Sequence, residues 1–157
     1  MTNTYAELAP EILDARALAL QLTRLTESAV SIDPSSLGIV LQPGETAFRH
    51  VGAWLGIRID GVWQHPEWVS LVITDRRLIA RFANDELASL WWGGVVGMSA
   101  SPAEGRIVLD FGDGRPRLLG GPCLPAILVA AVWALYGPQA LVTHPDLALF
   151  RVATPEP

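Results

Sequence analysis

The sequence predicts an α+β domain: an N-terminal amphipathic helix, an antiparallel β-barrel or strongly bent sheet of six to seven strands, and a C-terminal apolar helix closing it. Three observations carry this. The apolar residues recur every three to four positions near the N-terminus and every second position across the middle, and a charge-free apolar run bounded by proline and glycine follows. A chain of 157 residues is one domain's worth. Half of it is hydrophobic and 17% is charged, with a mean hydropathy of +0.33, which excludes wholesale disorder.

Pro10 suits a first helical position, because its missing N–H would have no intrahelical partner there. From it Ile12, Ala15, Ala19, Leu22, Leu25 and Ala29 recur at helical steps, Leu18 widens the stripe, and Glu11, Asp14, Arg16 and Arg24 lie mostly elsewhere. This predicts an amphipathic helix of about five turns. The turn formers between Ser31 and Ser36 end it, so residues 1–36 are a helix and linker.

Between Leu41 and Leu119 the period is two. Val51, Ala53, Leu55, Ile57 and Ile59 alternate with His50, Gly52, Trp54, Gly56 and Arg58. Further strands are expected at 68–74, with Val69, Leu71 and Ile73 on one face, and at 77–83, with Leu78, Ala80 and Phe82 opposite Arg77, Ile79 and Arg81. Residues 87–92, 95–99, 106–111 and 115–119 complete the series, separated by turn formers such as Asp60-Gly61, Asn84-Asp85-Glu86 and Gly112-Asp113-Gly114. Short strands at this spacing form an antiparallel meander.

The last third opens at Gly120-Gly121-Pro122. Residues 124–136 are almost wholly Ala, Leu, Ile, Val and Trp, and Gly137-Pro138 stops them. The 28 residues from Leu118 to Pro145 carry no Asp, Glu, Lys or Arg. Prolines and glycines cut that run to a helix too short for the roughly 20 residues of a membrane span, so a buried helix is expected. Residues 138–157 read as a tail with one apolar stretch from Leu147 to Val152.

A net charge of −5, from 11 basic and 16 acidic residues, argues against a nucleic-acid binder. All 11 basic residues are arginine, which reads as coding bias. The single cysteine, Cys123, cannot form an internal disulfide. With no basic start leading into a hydrophobic stretch, a cytoplasmic location is expected.

The motifs follow one another in a definite order. Leu41-Gln42-Pro43-Gly44-Glu45 precedes a long strand, Thr74-Asp75-Arg76-Arg77-Leu78 forms a hairpin, and Leu109-Asp110-Phe111-Gly112-Asp113-Gly114 leads to the closing helix. Over residues 39 to 137 this order resembles the bacterial pleckstrin-homology-like domains, including the GRAM-like branch. The resemblance implies a barrel plugged by its C-terminal helix, a domain at 37–137, and a module that binds lipids, peptides or proteins. The Pro122 to Pro125 opening of the last helix departs from the pattern.

Arg76 and Arg77, with Arg81, are candidates for binding an anionic lipid or phosphorylated ligand through bidentate contacts. The competing reading makes Thr74 to Arg77 a tight turn whose arginine stems cover the sheet. Gly112 and Gly114 precede no helix and have no lysine nearby, so they form a hairpin and not a phosphate loop. His50, His65 and His144 have no metal-ligand spacing, no metal or cofactor is implied, and no nucleophile–base constellation points to catalysis. An apolar surrounding should raise the Cys123 thiol pKa.

Tryptophan is the residue class in excess, with six. Trp91 and Trp92 are adjacent on a strand and must face opposite ways. One is buried; the other needs cover from the first helix, a partner chain or a ligand. Trp63 and Trp68 flank a loop and are expected at a rim. Trp63, Trp68, Trp91 and Trp92 are therefore the candidate interaction residues. The expected function is non-enzymatic: a protein-binding or self-associating module, using the first helix or a tryptophan-bearing face, with a homodimer as the simplest form. Peripheral lipid binding and a small-molecule or catalytic pocket at the barrel mouth are the alternatives.

Overall fold

The structure is a computed structural model that describes residues 9–24 and 32–150. Helix α1 spans Pro10–Arg24, about four turns at 3.6 residues each. Leu25 and Ala29, expected to extend its stripe, lie outside the described residues. Ala15, Leu18 and Leu22 are buried, as the periodicity requires. After residue 32 the chain crosses the sheet as a strap over residues 32–45, with a 3₁₀ turn at Pro34–Leu37. Asp33 caps that turn by accepting from the Ser35 N–H.

Eight strands follow: β1 Ala47–Ile59, β2 Val62–Trp63, β3 Glu67–Thr74, β4 Arg77–Arg81, β5 Leu87–Trp91, β6 Gly97–Ser101, β7 Arg106–Asp110 and β8 Arg117–Gly120. Seven pair in the order β5-β4-β3-β1-β8-β7-β6, and β2 adds to β1. Every pairing is antiparallel. The long β1 serves two meanders: its first part pairs with β3 and its second with β8. β5 and β6 are the ends of the sheet, bridged by a 3₁₀ turn at Trp92–Gly94. Of the two arrangements the periodicity left open, the chain therefore adopts the bent open sheet.

Some boundaries differ from expectation for local reasons. β4 stops at Arg81 because the Phe82 N–H donates to Glu86 O and closes the turn. β6 starts at Gly97, since the Val95 N–H is still bonded to Trp92 O. β8 starts at Arg117, after Pro116, which has no N–H to give a ladder. The two-residue β2 is too short to show a period.

Helix α2 spans Leu124–Tyr136, with the bounds its flanking glycines and prolines set. Leu124 and Ala126 to Val132 are buried without a break. The sheet covers one side of this helix through Leu55, Leu71, Ile73, Leu78, Ile107 and Leu119, and α1 covers the other through Ala15, Leu18 and Leu22. A helix apolar all round needs both. A register shift in β1 between Ala47 and Arg49 turns Arg49 toward α1, as a bulge does. There Arg49 pairs with Asp14 at 2.9 Å and donates to Gln21.

The first helix thus packs on α2 of its own chain through Ala15, Leu18 and Leu22, and leaves Leu13 and Leu20 exposed. Residues 138–150 are packed as well. They form α3 (Ala140–Thr143) and a 3₁₀ turn at Pro145–Phe150, and bury Leu141, Leu147 and Phe150. Val152 lies outside the described residues. Sheet order and closing helix together make a pleckstrin-homology-like fold. Among the described residues no helix is long and apolar enough to cross a membrane.

Candidate functional site

Two of the three motifs that carried the resemblance touch each other. Gln42-Pro43-Gly44-Glu45 is a β-turn in which the Glu45 N–H donates to Gln42 O at 3.0 Å. Gly44 has φ +80°, the left-handed value that the third turn position demands and that a side chain resists. This turn delivers the Glu45 carboxylate under the sheet. Arg77 Nε and Nη2 donate to its two oxygens, each at 2.9 Å. Thr74 Oγ1 donates at 2.7 Å and the Gln42 N–H at 2.9 Å. Burial raises the Glu45 pKa, but the hydrogen bonds from Arg77, Gln42 and Thr74 and the Arg77 charge outweigh it and hold the group at about 2.

The candidate anion-binding arginines share one task. Arg81 donates to Leu37 O, Arg77 to Val40 O and Arg76 to Pro43 O, at 2.8, 3.1 and 3.0 Å. Three guanidinium groups thus clamp successive carbonyls of the strap onto the outer face of β3 and β4. Ile39 of the strap then packs with Ala47, Val72 and Ile79 in a second, smaller core. Arg77 also donates to Ser89 Oγ, so its guanidinium has no edge left for a phosphate. The turn reading describes this hairpin, and the sequence did not show that the arginines reach 33 to 44 residues back.

Trp91 and Trp92 do face opposite ways. Trp92 is 5% exposed, and its indole N–H donates to Thr74 O at 3.1 Å, so it is not available to a partner. The outward Trp91 is 37% exposed and is not covered by the first helix. The Arg77 guanidinium lies 4.5 Å over its ring, a cation–π contact.

Three further tryptophans are exposed. Trp54, Trp63 and Trp68 are 45%, 43% and 48% exposed. Trp54 and Trp68 are cross-strand partners on β1 and β3, packed edge to face with centroids 5.1 Å apart. Trp68 lies flat over Gly52, where an added Cβ would sit 2.3 Å from its Cζ2. Both rings also contact the Gly121 position. Further along β1, Leu118 and Pro66 cover Gly56, and Trp63 pairs in register with Arg58. The result is an aromatic strip running Trp68, Trp54, Pro66, Trp63.

The rim loop placed Trp63 and Trp68 correctly at the surface. Trp54 was the residue missed, and its signal is the alternation Gly52-Ala53-Trp54-Leu55-Gly56, in which glycines flank an outward tryptophan on one face. Gly52→Ala should therefore displace the Trp68 ring and abolish the exciton couplet of the Trp54–Trp68 pair in circular dichroism. The half-exposed ring can swing away, so the stability cost should stay near about 1 kcal/mol. An unchanged couplet would refute the glycine contact.

At the end of the strip, Trp68 also lines a cleft of about 560 Å³ with Glu67, Phe82, Ala83, Asn84 and Glu86. A smaller cavity of about 240 Å³ under the strap is lined by His50, Ser70 and Arg81 with aliphatic neighbours. The sheet interior is filled: Leu71, Ile73, Leu78, Ile107 and Leu109 have no exposure. Burial raises the Cys123 thiol pKa, with the Glu11 charge adding to it, which disfavours the reactive thiolate. Among the described residues no group of three or more His, Cys, Asp or Glu could hold a metal ion.

No family model and no curated protein matches this chain. Among solved structures, the N-terminal PH domain of Vps36 is similar at 15% identity with a TM-score of 0.46, over 73% of this chain and 96% of that one. The C-terminal domain of an unknown protein from Leishmania infantum is similar at 14% identity with a TM-score of 0.40, over 59% and 85% of the two chains.

Proposed function

We propose that this chain is a non-enzymatic interaction module that associates with a second copy of itself through the strip of Trp54, Trp63 and Trp68. The observation that carries this reading is three half-exposed indoles on one sheet face, two of them seated over glycines. Aromatic anchors of this kind supply much of the energy of protein interfaces. The arginines of the lipid reading are taken up by the strap, which disfavours an anionic membrane. The filled interior disfavours a ligand enclosed between the sheet and α2.

Light scattering on the full chain tests the reading. A dimer is expected at micromolar concentration, and a Trp54→Ala/Trp68→Ala variant with unchanged far-UV circular dichroism should be monomeric. A wild-type protein that stays monomeric at high micromolar concentration overturns it.

A further inference from the structure

The strap roofs a patch of the outer sheet face that has a chemistry of its own. Ser70 of β3 stands across from Arg81 of β4, Val72 stands across from Ile79, and His50 of β1 stands across from Val72. Cross-strand partners share a face, so these side chains form one floor, and Leu37 and Ile39 of the strap close a cavity of about 240 Å³ over it. The cavity is aliphatic on one side and polar on the other, where His50, Ser70 and Arg81 meet, and no carboxylate lines it. Ser70 Oγ bonds His50 Nε2 and no further group among the described residues. Arg81 uses one N–H on Leu37 O. Asp85 lies 3.8 Å from another of its nitrogens, but the Asp85 side chain is 87% exposed, which makes that pair weak. A guanidinium has five N–H donors, so Arg81 keeps donors for a group inside the cavity.

We propose that this cavity binds a short aliphatic monocarboxylate, with the carboxylate on Arg81 and Ser70 and the alkyl chain between the strap and the outer face of β3 and β4. The site is separate from the tryptophan strip and does not depend on self-association. Charge selects the head group: the lining holds a cation and no acid. One guanidinium matches one carboxylate through two parallel N–H bonds, whereas the second charge of a phosphate would find no second arginine there. His50 with its proton on Nε2 donates to Ser70 Oγ, which frees the Ser70 hydroxyl proton for the ligand. Leu37, Ile39, Val72 and Ile79 select the chain, and an apolar pocket with a few converging polar groups is the usual form of a small-ligand site. At roughly 30 Å³ per water, 240 Å³ holds about eight non-hydrogen atoms, an acid of about four to six carbons. His50 is exposed while Ile39, Val72 and Ile79 are buried, so the cavity opens beside His50 and ends at the small core under the strap.

Titration of the full chain with sodium pentanoate, followed by two-dimensional amide NMR, tests this. Saturable shifts are expected at Leu37, Ile39, Ser70 and Arg81 at millimolar acid, with the Trp63 indole signal unmoved. Pentanamide keeps the chain and lacks the charge, so it should bind about tenfold more weakly, the scale of a hydrogen bond to a charged group. Acetate lacks the chain and should also bind more weakly than pentanoate. Arg81→Gln should weaken pentanoate binding by about tenfold or more, and Arg81→Lys by less. Because Arg81 also holds the strap, Ser70→Ala supplies the variant that leaves the strap's bonds in place, and it should weaken binding severalfold with an unchanged wild-type amide spectrum outside the cavity. The absence of saturable shifts in wild type overturns the site. Pentanamide binding as tightly as pentanoate overturns the role of Arg81, and acetate binding as tightly overturns the aliphatic subsite. Unchanged affinity in both Ser70→Ala and Arg81→Gln places the acid elsewhere and overturns the proposal.

Discussion

Glu45→Ala should destabilise the protein by about 3–5 kcal/mol, the usual consequence of removing one partner of a buried ion pair. The Glu45 side chain has no exposure and that of Arg77 has 13%, so the abandoned guanidinium has little access to water. The strap would lose the Arg77 bridge to Val40 and with it the closure over Ile39, Val72 and Ile79. Glu45→Gln keeps the shape and part of the hydrogen bonding, so a smaller loss is expected. Urea unfolding measures both, and a Glu45→Ala midpoint within error of wild type would show that the clamp contributes nothing.

The same group sets an acid dependence. Its folded pKa of about 2 lies below the unassociated value of 4.5, so the unfolded state takes up its proton first. The stabilisation is complete above the unfolded pKa and is lost as pH falls from about 5 toward 2. The shift corresponds to about 3 kcal/mol at 1.36 kcal/mol per pH unit. Stability of wild type and Glu45→Gln should therefore converge over that window, and parallel curves would contradict the assignment.

Much of this architecture was legible because it rests on periodicity and breakers. Val69, Leu71 and Ile73 alternate into the core, and Gly137-Pro138 ends α2 where the sequence has it end. The clamp was not legible in that way. Arg76, Arg77 and Arg81 reach carbonyl oxygens, which every residue has, so no residue type at the far end marks the contact. Glu45 was visible as part of a motif, but its partner is 32 positions away and no local spacing joins them. The candidate site shows the same division. Outward alternation exposes Trp54, whereas the cover over Trp91 comes from Arg77, a residue whose own strand face gave only its direction. Excess hydrophobicity was visible in composition alone; its destination, a helix sandwiched between sheet and α1, depends on contacts between chain ends.

That sandwich makes a second strong prediction. Leu18→Ala should cost about 2–5 kcal/mol, the range for emptying a fully buried leucine site. Leu18 has no exposure and lies in the same core as Ile127, Leu128 and the inward residues of β3 and β4. The cavity would open where α1 meets α2, and both are rigid helices held by other contacts, so collapse around it should be incomplete. Arg49–Asp14 and the bond from Arg16 Nε to Phe150 O at 2.6 Å would still hold α1 in place, so the variant should remain folded with a lower unfolding midpoint. Because α1 covers α2 within one chain, the Leu18→Ala penalty should not change with protein concentration. A helix exchanged between copies would instead tie the penalty to association, which depends on concentration. Chemical unfolding of both proteins across a hundredfold concentration range, on the order of what light scattering and fluorescence jointly cover, separates the cases. A penalty below about 0.5 kcal/mol would place Leu18 outside the packed core, where surface substitutions fall.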